Sequence, residues 1–239
     1  MKEFFNTILY QPLTAALNFL YVLMGNNLGL AIIALTLIIK LILAPLSAPA
    51  LKSAQKLQDM KGELDALKVK YKDDKVRFQE EQLKLYKAKG INPLGGCLPL
   101  LLQLPVFFIL WSVLNAFVAQ SNINAGFLWL DLSKPDPYYI LPVLAGVTQF
   151  IQSKLMVPAK AKTATPAVQP KKVENESMSD SLAQAMQTQN LYLMPALWVI
   201  MLLRLPSGLA LYLIVSIVFG IIQQMFIKKR TMAGVKNGS

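Results

Sequence analysis

Long apolar blocks separated by charged segments, rather than period-two alternation, set the pattern of this chain. Five blocks reach or approach the roughly 20 residues that a helix needs to cross about 30 Å of hydrocarbon. They are Leu28–Leu46, Leu94–Val118, Tyr138–Val157, Leu191–Leu205 and Leu209–Ile227. The pattern predicts an all-α polytopic membrane protein with five transmembrane helices over 28–46, 94–118, 138–157, 191–205 and 209–227. The stretch Arg204-Leu205-Pro206-Ser207-Gly208 reads as a tight turn, so the last two spans are expected to pair as a hairpin. Within 1–27, the apolar run Phe4–Met24 is interrupted by Asn6, Thr7, Gln11, Thr14 and Asn18, and Pro12 breaks its first third. Gln11–Met24 therefore reads as an N-terminal amphipathic helix lying in the outer interface, with a sixth span as the competing reading. Lys2 is offset by Glu3 and no small-x-small site follows, so a cleaved signal peptide is not expected.

The polar segments divide by composition. In 47–93, Leu57, Met60, Leu64, Leu67 and Tyr71 follow a 3-4-3-4 spacing, one seam of a heptad pattern. Lys72-Asp73-Asp74-Lys75 then makes a turn, and Val76, Leu83 and Tyr86 form a second stripe. A cytoplasmic helical hairpin is expected over Lys52 to Lys89, either as a solvated spacer or as a mobile contact arm. The segment 119–137 is an outer loop. In 158–190, Pro158–Ser181 is rich in Pro, Ala, Lys, Thr and Ser with almost no large apolar residue, which predicts partial disorder, and a short helix resumes over Leu182–Asn190. The tail 228–239 is basic.

Charge fixes the expected orientation. The segment Ser47–Pro93 holds ten Lys and one Arg, and Lys154 with the loop that follows it brings five Lys. The tail adds Lys228, Lys229, Arg230 and Lys236, while the opposite side carries only Lys2 and Lys134, with Arg204 at its boundary. By the positive-inside rule the N-terminus is outside and the large loops and C-terminus are cytoplasmic. The net charge of +11 then sits on one face. That face suits anionic lipid head groups or ribosomal RNA, and composition does not separate them.

Composition narrows the chemistry. Hydrophobic residues make up 54% and charged residues 15%, against about 25% charged in a soluble domain, too few to coat a water-facing globule of this size. The absence of His excludes a Ser/His/Asp triad, and the single cysteine, Cys97, excludes an intrachain disulfide and a thiolate zinc site. No GxxxxGK[ST] or GxGxxG motif occurs. No covalent catalysis, metal, cofactor or small-molecule substrate is expected.

One residue breaks the apolar pattern. Lys40 lies in the first span, about 18 Å from its start and about 8 Å from Pro45 at 1.5 Å per residue. A charge at such depth costs at least about 2.5–3.5 kcal/mol on insertion scales. Thr36 lies one turn away on the same face. Either the lysine snorkels to the inner head groups, or it faces a water-filled cavity. Further polar residues occur in the spans: Gln103, Ser112 and Asn115; Thr148, Gln149 and Gln152; Tyr212, Ser216, Gln223 and Gln224. Each alone is more often interhelical glue than a site, and Gln223 and Gln224 stand near the inner lip, where they are expected to face water. Together with Lys40 these residues can line one hydrophilic concavity. Pro99, Pro105, Pro142 and Pro195 predict kinks in the spans.

The run Asn92-Pro93-Leu94-Gly95-Gly96-Cys97-Leu98-Pro99, continuing to Pro105, resembles the signature of the YidC membrane-protein insertase family. So do Asp136-Pro137-Tyr138-Tyr139-Ile140-Leu141-Pro142, Pro206-Ser207-Gly208-Leu209 and the Gln223-Gln224 ending, in the same order from about Gln11 to Ile227. The resemblance implies a five-span core in the bacterial plasma (inner) membrane. It also implies a hydrophilic groove open to cytoplasm and lipid but closed outside. Lys40 and Thr36 match the family's cationic groove position and the threonine before it. The family usually carries Arg there, and Lys keeps the charge without the planar fork. Tyr212 matches an aromatic substrate-contacting position and Gln152 a polar groove position. The implied partners are nascent membrane proteins, the ribosome, the Sec translocon and anionic lipids. Two other readings stay open on residues alone: a small secondary transporter, which predicts internal repeats that the two halves lack, and an accessory translocon subunit.

Overall fold

The structure is a computed structural model and describes residues 6–72, 74–90, 98–119, 123–156 and 189–236. It is mainly helical. A π-helical turn, Asn6–Tyr10, leads into α1 (Gln11–Leu23). There follow α2 (Leu28–Asp59), α3 (Lys61–Lys70), α4 (Lys75–Ala88) and α5 (Leu98–Val118). A two-stranded antiparallel ribbon, β1 (Gly126–Phe127) and β2 (Leu130–Asp131), comes next. The chain closes with α6 (Ile140–Met156), a π-helical turn at Gln189–Leu193, α7 (Met194–Leu202) and α8 (Ser207–Lys236). Among the described residues two helices, α2 and the Ser207–Lys229 portion of α8, are by themselves long and apolar enough to cross a membrane. The expected loop Pro158–Ser181 and the helix expected over Leu182–Asn190 lie outside the described residues, apart from Gln189 and Asn190 in the π-helical turn.

Local chemistry explains where α1 and α2 meet. α1 buries Leu17, Leu20 and Tyr21 and leaves Phe19, Val22 and Leu23 exposed. Gly25 and Asn26 take left-handed backbone conformations, with φ of 69° and 59°, which reverse the chain. The Asn27 side chain then accepts from the Leu30 N–H at 3.1 Å and caps α2.

The first expected span does not end at Leu46. α2 continues through Pro45 and Pro49 to Asp59, so the first arm of the helical hairpin extends the same helix. A proline inside a helix removes one ladder hydrogen bond, and side chains gather beside these two. The Ser47 hydroxyl donates to the Ala44 carbonyl at 3.1 Å, and Gln223 Nε2 on α8 donates to the same carbonyl at 3.0 Å and to Ser47 Oγ at 2.9 Å. Gln223 is therefore committed to α2 rather than to water, and Gln224 Oε1 is buried without a hydrogen-bond partner among the described residues. Of the other expected kinks, Pro99 and Pro142 fall in the first turns of α5 and α6, where no intrahelical N–H bond is lost, Pro195 follows directly on the π-helical turn at the start of α7, and Pro105 lies in the interior of α5.

Beyond α2 the hairpin breaks at Met60 and turns between Tyr71 and Asp74, where the Asp74 carboxylate accepts from the Arg77 N–H at 3.0 Å. Met60 and Phe78 are its buried contacts, and Glu63 pairs with Lys89 across the arms. The expected second stripe is displaced. Val76 and Leu83 are exposed, and Phe78 is buried instead.

The bundle core forms where α1, α2, α5, α6 and α8 converge, around Leu17, Leu28, Ile32, Leu110, Phe117, Leu209 and Leu213. α8 packs mainly on α2 and α6, whereas α7 packs on α6. The last two helices are joined by a short turn but touch sparingly, so they do not pair as the expected hairpin. At the opposite end of α2 from the helical hairpin, residues 123–136 fold over the core. Tyr21 OH accepts from the Asn124 N–H at 2.8 Å, and the Phe127 ring lies against the backbone of Gly29. The Ser207 N–H donates to the Lys134 carbonyl at 2.8 Å, and the Gly208 N–H to the Leu132 carbonyl at 3.1 Å. In the same loop the Ser133 hydroxyl, then Lys134, hold the Asp131 carboxyl below its ordinary range.

Asp136 is buried where α6 starts and accepts from the Tyr138 N–H at 3.0 Å and the Leu141 N–H at 2.7 Å. Asp136→Ala leaves both donors without this acceptor. It is expected to destabilise the protein by about 1–3 kcal/mol, measurable as a lower unfolding midpoint in detergent.

Candidate functional site

Three helices far apart in sequence place their polar side chains together inside the bundle. Lys40 on α2 donates from Nζ to Gln103 Oε1 on α5 at 2.9 Å. The other end of that amide, Nε2, donates to the Tyr212 hydroxyl on α8 at 2.7 Å. Ser216, one turn beyond Tyr212, donates to Gln103 Oε1 at 3.3 Å. Tyr212 and Ser216 are buried, while Lys40 and Gln103 are partly open. The amide's orientation has a physical cause. An ammonium only donates, so the carboxamide must turn its oxygen toward Lys40 and its nitrogen toward Tyr212.

This cluster lies between an apolar end and a polar one. Toward the start of α2 come Thr36, Leu35, Ile32 and Leu28, all buried, under the loop that carries Phe127 and Leu132. Toward the helical hairpin come the Ser47–Gln223 contact and Gln152 on α6, whose Nε2 sits against Gly220 of α8. A Cβ on Gly220 would approach that nitrogen to 2.6 Å, so this glycine lets the glutamine cross the face of α8.

Of the groove residues expected from sequence, Lys40, Gln103 and Tyr212 share one hydrogen-bonded chain. Thr36 stands apart from it. Its hydroxyl donates to the Ile32 carbonyl of its own helix at 2.6 Å, a common use of a buried helical threonine. Gln152 lies on α6, against Gly220 rather than in the chain. Thr148 donates to carbonyls of its own helix, and Ser112 and Asn115 are exposed on α5. Ser216, one of the span polar residues expected to share a concavity with Lys40, joins the chain through Gln103. It stands four after Tyr212, one turn along the same face. The hairpin Lys52 to Lys89 begins in the last turns of α2 and continues through α3 and α4, and Lys228 and Lys229 are exposed on α8. The side chain of Arg230 lies outside the described ones.

An apolar helical bundle enclosing a lysine-centred polar cluster defines a membrane-integral α-helical protein. Residues 19–234 match the family described as 60Kd inner membrane protein. A membrane protein insertase YidC from Fusobacterium nucleatum is 37% identical over 205 residues, covering 86% of this chain and 88% of the relative. Membrane protein insertase YidC 2 from Bacillus anthracis is 37% identical over 238 residues, covering 98% of this chain and 84% of that one. The relative from Wolinella succinogenes is 38% identical over 94% of this chain, which spans only 38% of that longer protein. A solved structure of an active YidC insertase with its first transmembrane domain resolved superposes with a TM-score of 0.64 at 29% identity. That match covers 93% of this chain and 46% of the other. The chain belongs to the YidC family of membrane proteins.

Proposed function

We propose that this chain is a membrane protein insertase and chaperone without covalent chemistry. It passes hydrophilic tails of nascent membrane proteins through a hydrated, cationic intramembrane groove and releases their apolar segments into lipid. The observation that carries the reading is Lys40 held by Gln103, itself bonded to Tyr212, below an apolar end. Moving unpaired backbone through hydrocarbon costs several kcal/mol per group, and a wet groove part-way through the bilayer shortens the dry path. Lys40 attracts acidic residues of the crossing tail more strongly than it would in bulk water, because the local dielectric is lower. The loop that packs Phe127 on Gly29 closes the outer side. Partition of the client's apolar segment supplies the free energy, and the membrane potential assists each acidic charge by about 2.3 kcal/mol per 100 mV.

In this reading five helical segments span the bacterial plasma membrane, α1 lies in the outer interface, and the C-terminus is cytoplasmic. The helical hairpin receives the client. Lys228, Lys229 and Arg230 approach ribosomal RNA or anionic lipid, and the Sec translocon is an optional neighbour. The domain limits of this reading are those expected from the sequence, although α2 joins the first span to the hairpin's first arm and α8 runs on into the basic tail as far as Lys236.

The test is reconstitution of the purified chain into liposomes with a single-span client whose translocated tail is acidic. The expected result is a protease-protected tail without added nucleotide. Solute uptake without insertion would establish the transporter instead, and neither activity would establish an accessory subunit.

A further inference from the structure

The ammonium of Lys40 has an unusual partner. No Asp or Glu occurs in 6–58, 98–119, 140–156 or 189–236, so none of the described residues on the bundle helices around it can neutralise it. Its hydrogen-bond partner is the neutral carboxamide of Gln103, which also receives Ser216 on the same oxygen and is anchored through its nitrogen to Tyr212. Among the described residues of the bundle helices the charge of Lys40 therefore stays unspent. The ammonium has three N–H donors and this amide takes one of them. The lysine stem, long enough to carry its head toward the inner head groups, is tied sideways to α5 instead.

We propose that Gln103 is the positioning and charge-selectivity residue of the groove. Its neutral oxygen holds the Lys40 ammonium at depth and leaves its full charge for a carboxylate on the client's crossing segment. This rests on the insertase reading above. A carboxamide and a carboxylate present the same planar oxygen to an ammonium, but only the carboxylate cancels its charge. An acid at position 103 would occupy Lys40 permanently and exclude the client's acid. An apolar residue there would free the lysine to swing out of the groove. Arginine at position 40 has a planar head with five donors that can engage more than one acceptor at once, so it needs this anchor less.

The experiment uses the full chain in liposomes and two single-span clients that differ only in the translocated tail. One tail carries several Asp and Glu, and the other carries Asn and Gln at the same places. Gln103→Glu is expected to lower insertion of the acidic client about tenfold relative to the neutral one, as loss of one attractive charge would do. Gln103→Leu is expected to lower the same ratio, and Lys40→Arg in the Gln103→Leu background is expected to restore it. That rescue reads positioning rather than folding, because a collapsed bundle would not be repaired by a longer cation. An acidic-to-neutral ratio unchanged by Gln103→Glu, with the protein at normal levels, overturns the proposal, and so does an equal loss for both clients. If the unsubstituted chain inserts neither client, the insertase reading itself has failed.

Discussion

Lys40→Ala is expected to cut insertion of a client with an acidic crossing tail by about tenfold or more, while Lys40→Arg keeps most of it. At an effective dielectric of about 20, two opposite charges about 4 Å apart attract by about 4 kcal/mol. Solvent in the proposed groove would screen part of this, and about 1.4 kcal/mol of surviving attraction already gives a tenfold effect. Lys40→Ala leaves Gln103 bonded to Tyr212 and Ser216, so the fold is expected to persist and the loss to be specific to acidic tails. Depletion of the resident insertase followed by complementation with each variant measures the difference. Equal rescue by Ala and Arg would remove the charge from the mechanism.

The second large effect concerns the end of the bundle covered by the β1–β2 ribbon. Gly29 has the Phe127 ring directly on its backbone, and an added Cβ would lie 2.2 Å from a ring carbon. The clash reaches the ring atom nearest the Phe127 backbone, at 2.3 Å, so rotating the ring does not relieve it. Gly29→Leu therefore has to lift the β1–β2 ribbon from α2, at a cost of about 1–3 kcal/mol for overpacking. The ribbon is joined through Lys134 and Leu132 to the start of α8 and through Asn124 to Tyr21. The disturbance is expected to spread along that end. Thermal unfolding in detergent and thiol labelling of Leu132→Cys from the outside, in a Cys97→Ser background, report it. A variant with an unchanged midpoint and no labelling of the thiol at position 132 would show that the ribbon is not part of the closure.

Lys40 is conspicuous in the sequence because a single ammonium interrupts an apolar run, and a charge in that setting needs an explanation. What holds the lysine is not visible there. Gln103 lies 63 residues away and Tyr212 a further 109, and contacts of that span depend on how helices rotate against each other. The turn of the helical hairpin is legible from Lys72-Asp73-Asp74-Lys75, but its second stripe is not. Val76 and Leu83 are seven apart, and so are Phe78 and Leu85, and the same period serves both phases. Phe78 is the one that is buried. Pro45 reads as a stop signal in the sequence, yet the helix passes through it with its neighbouring carbonyl occupied by side chains of Ser47 and Gln223.

The unbroken run of α2 has a mechanical meaning. At 1.5 Å per residue it is a rod about 48 Å long, carrying Lys40 near its middle and the root of the projecting arm at its tip. Any load borne by the arm must either turn the lysine with it or flex the rod at Pro45 and Pro49, where ladder bonds are missing. Gln223 grips the rod beside that joint from α8, so leverage from the arm bears first on this grip and only then on the cationic centre.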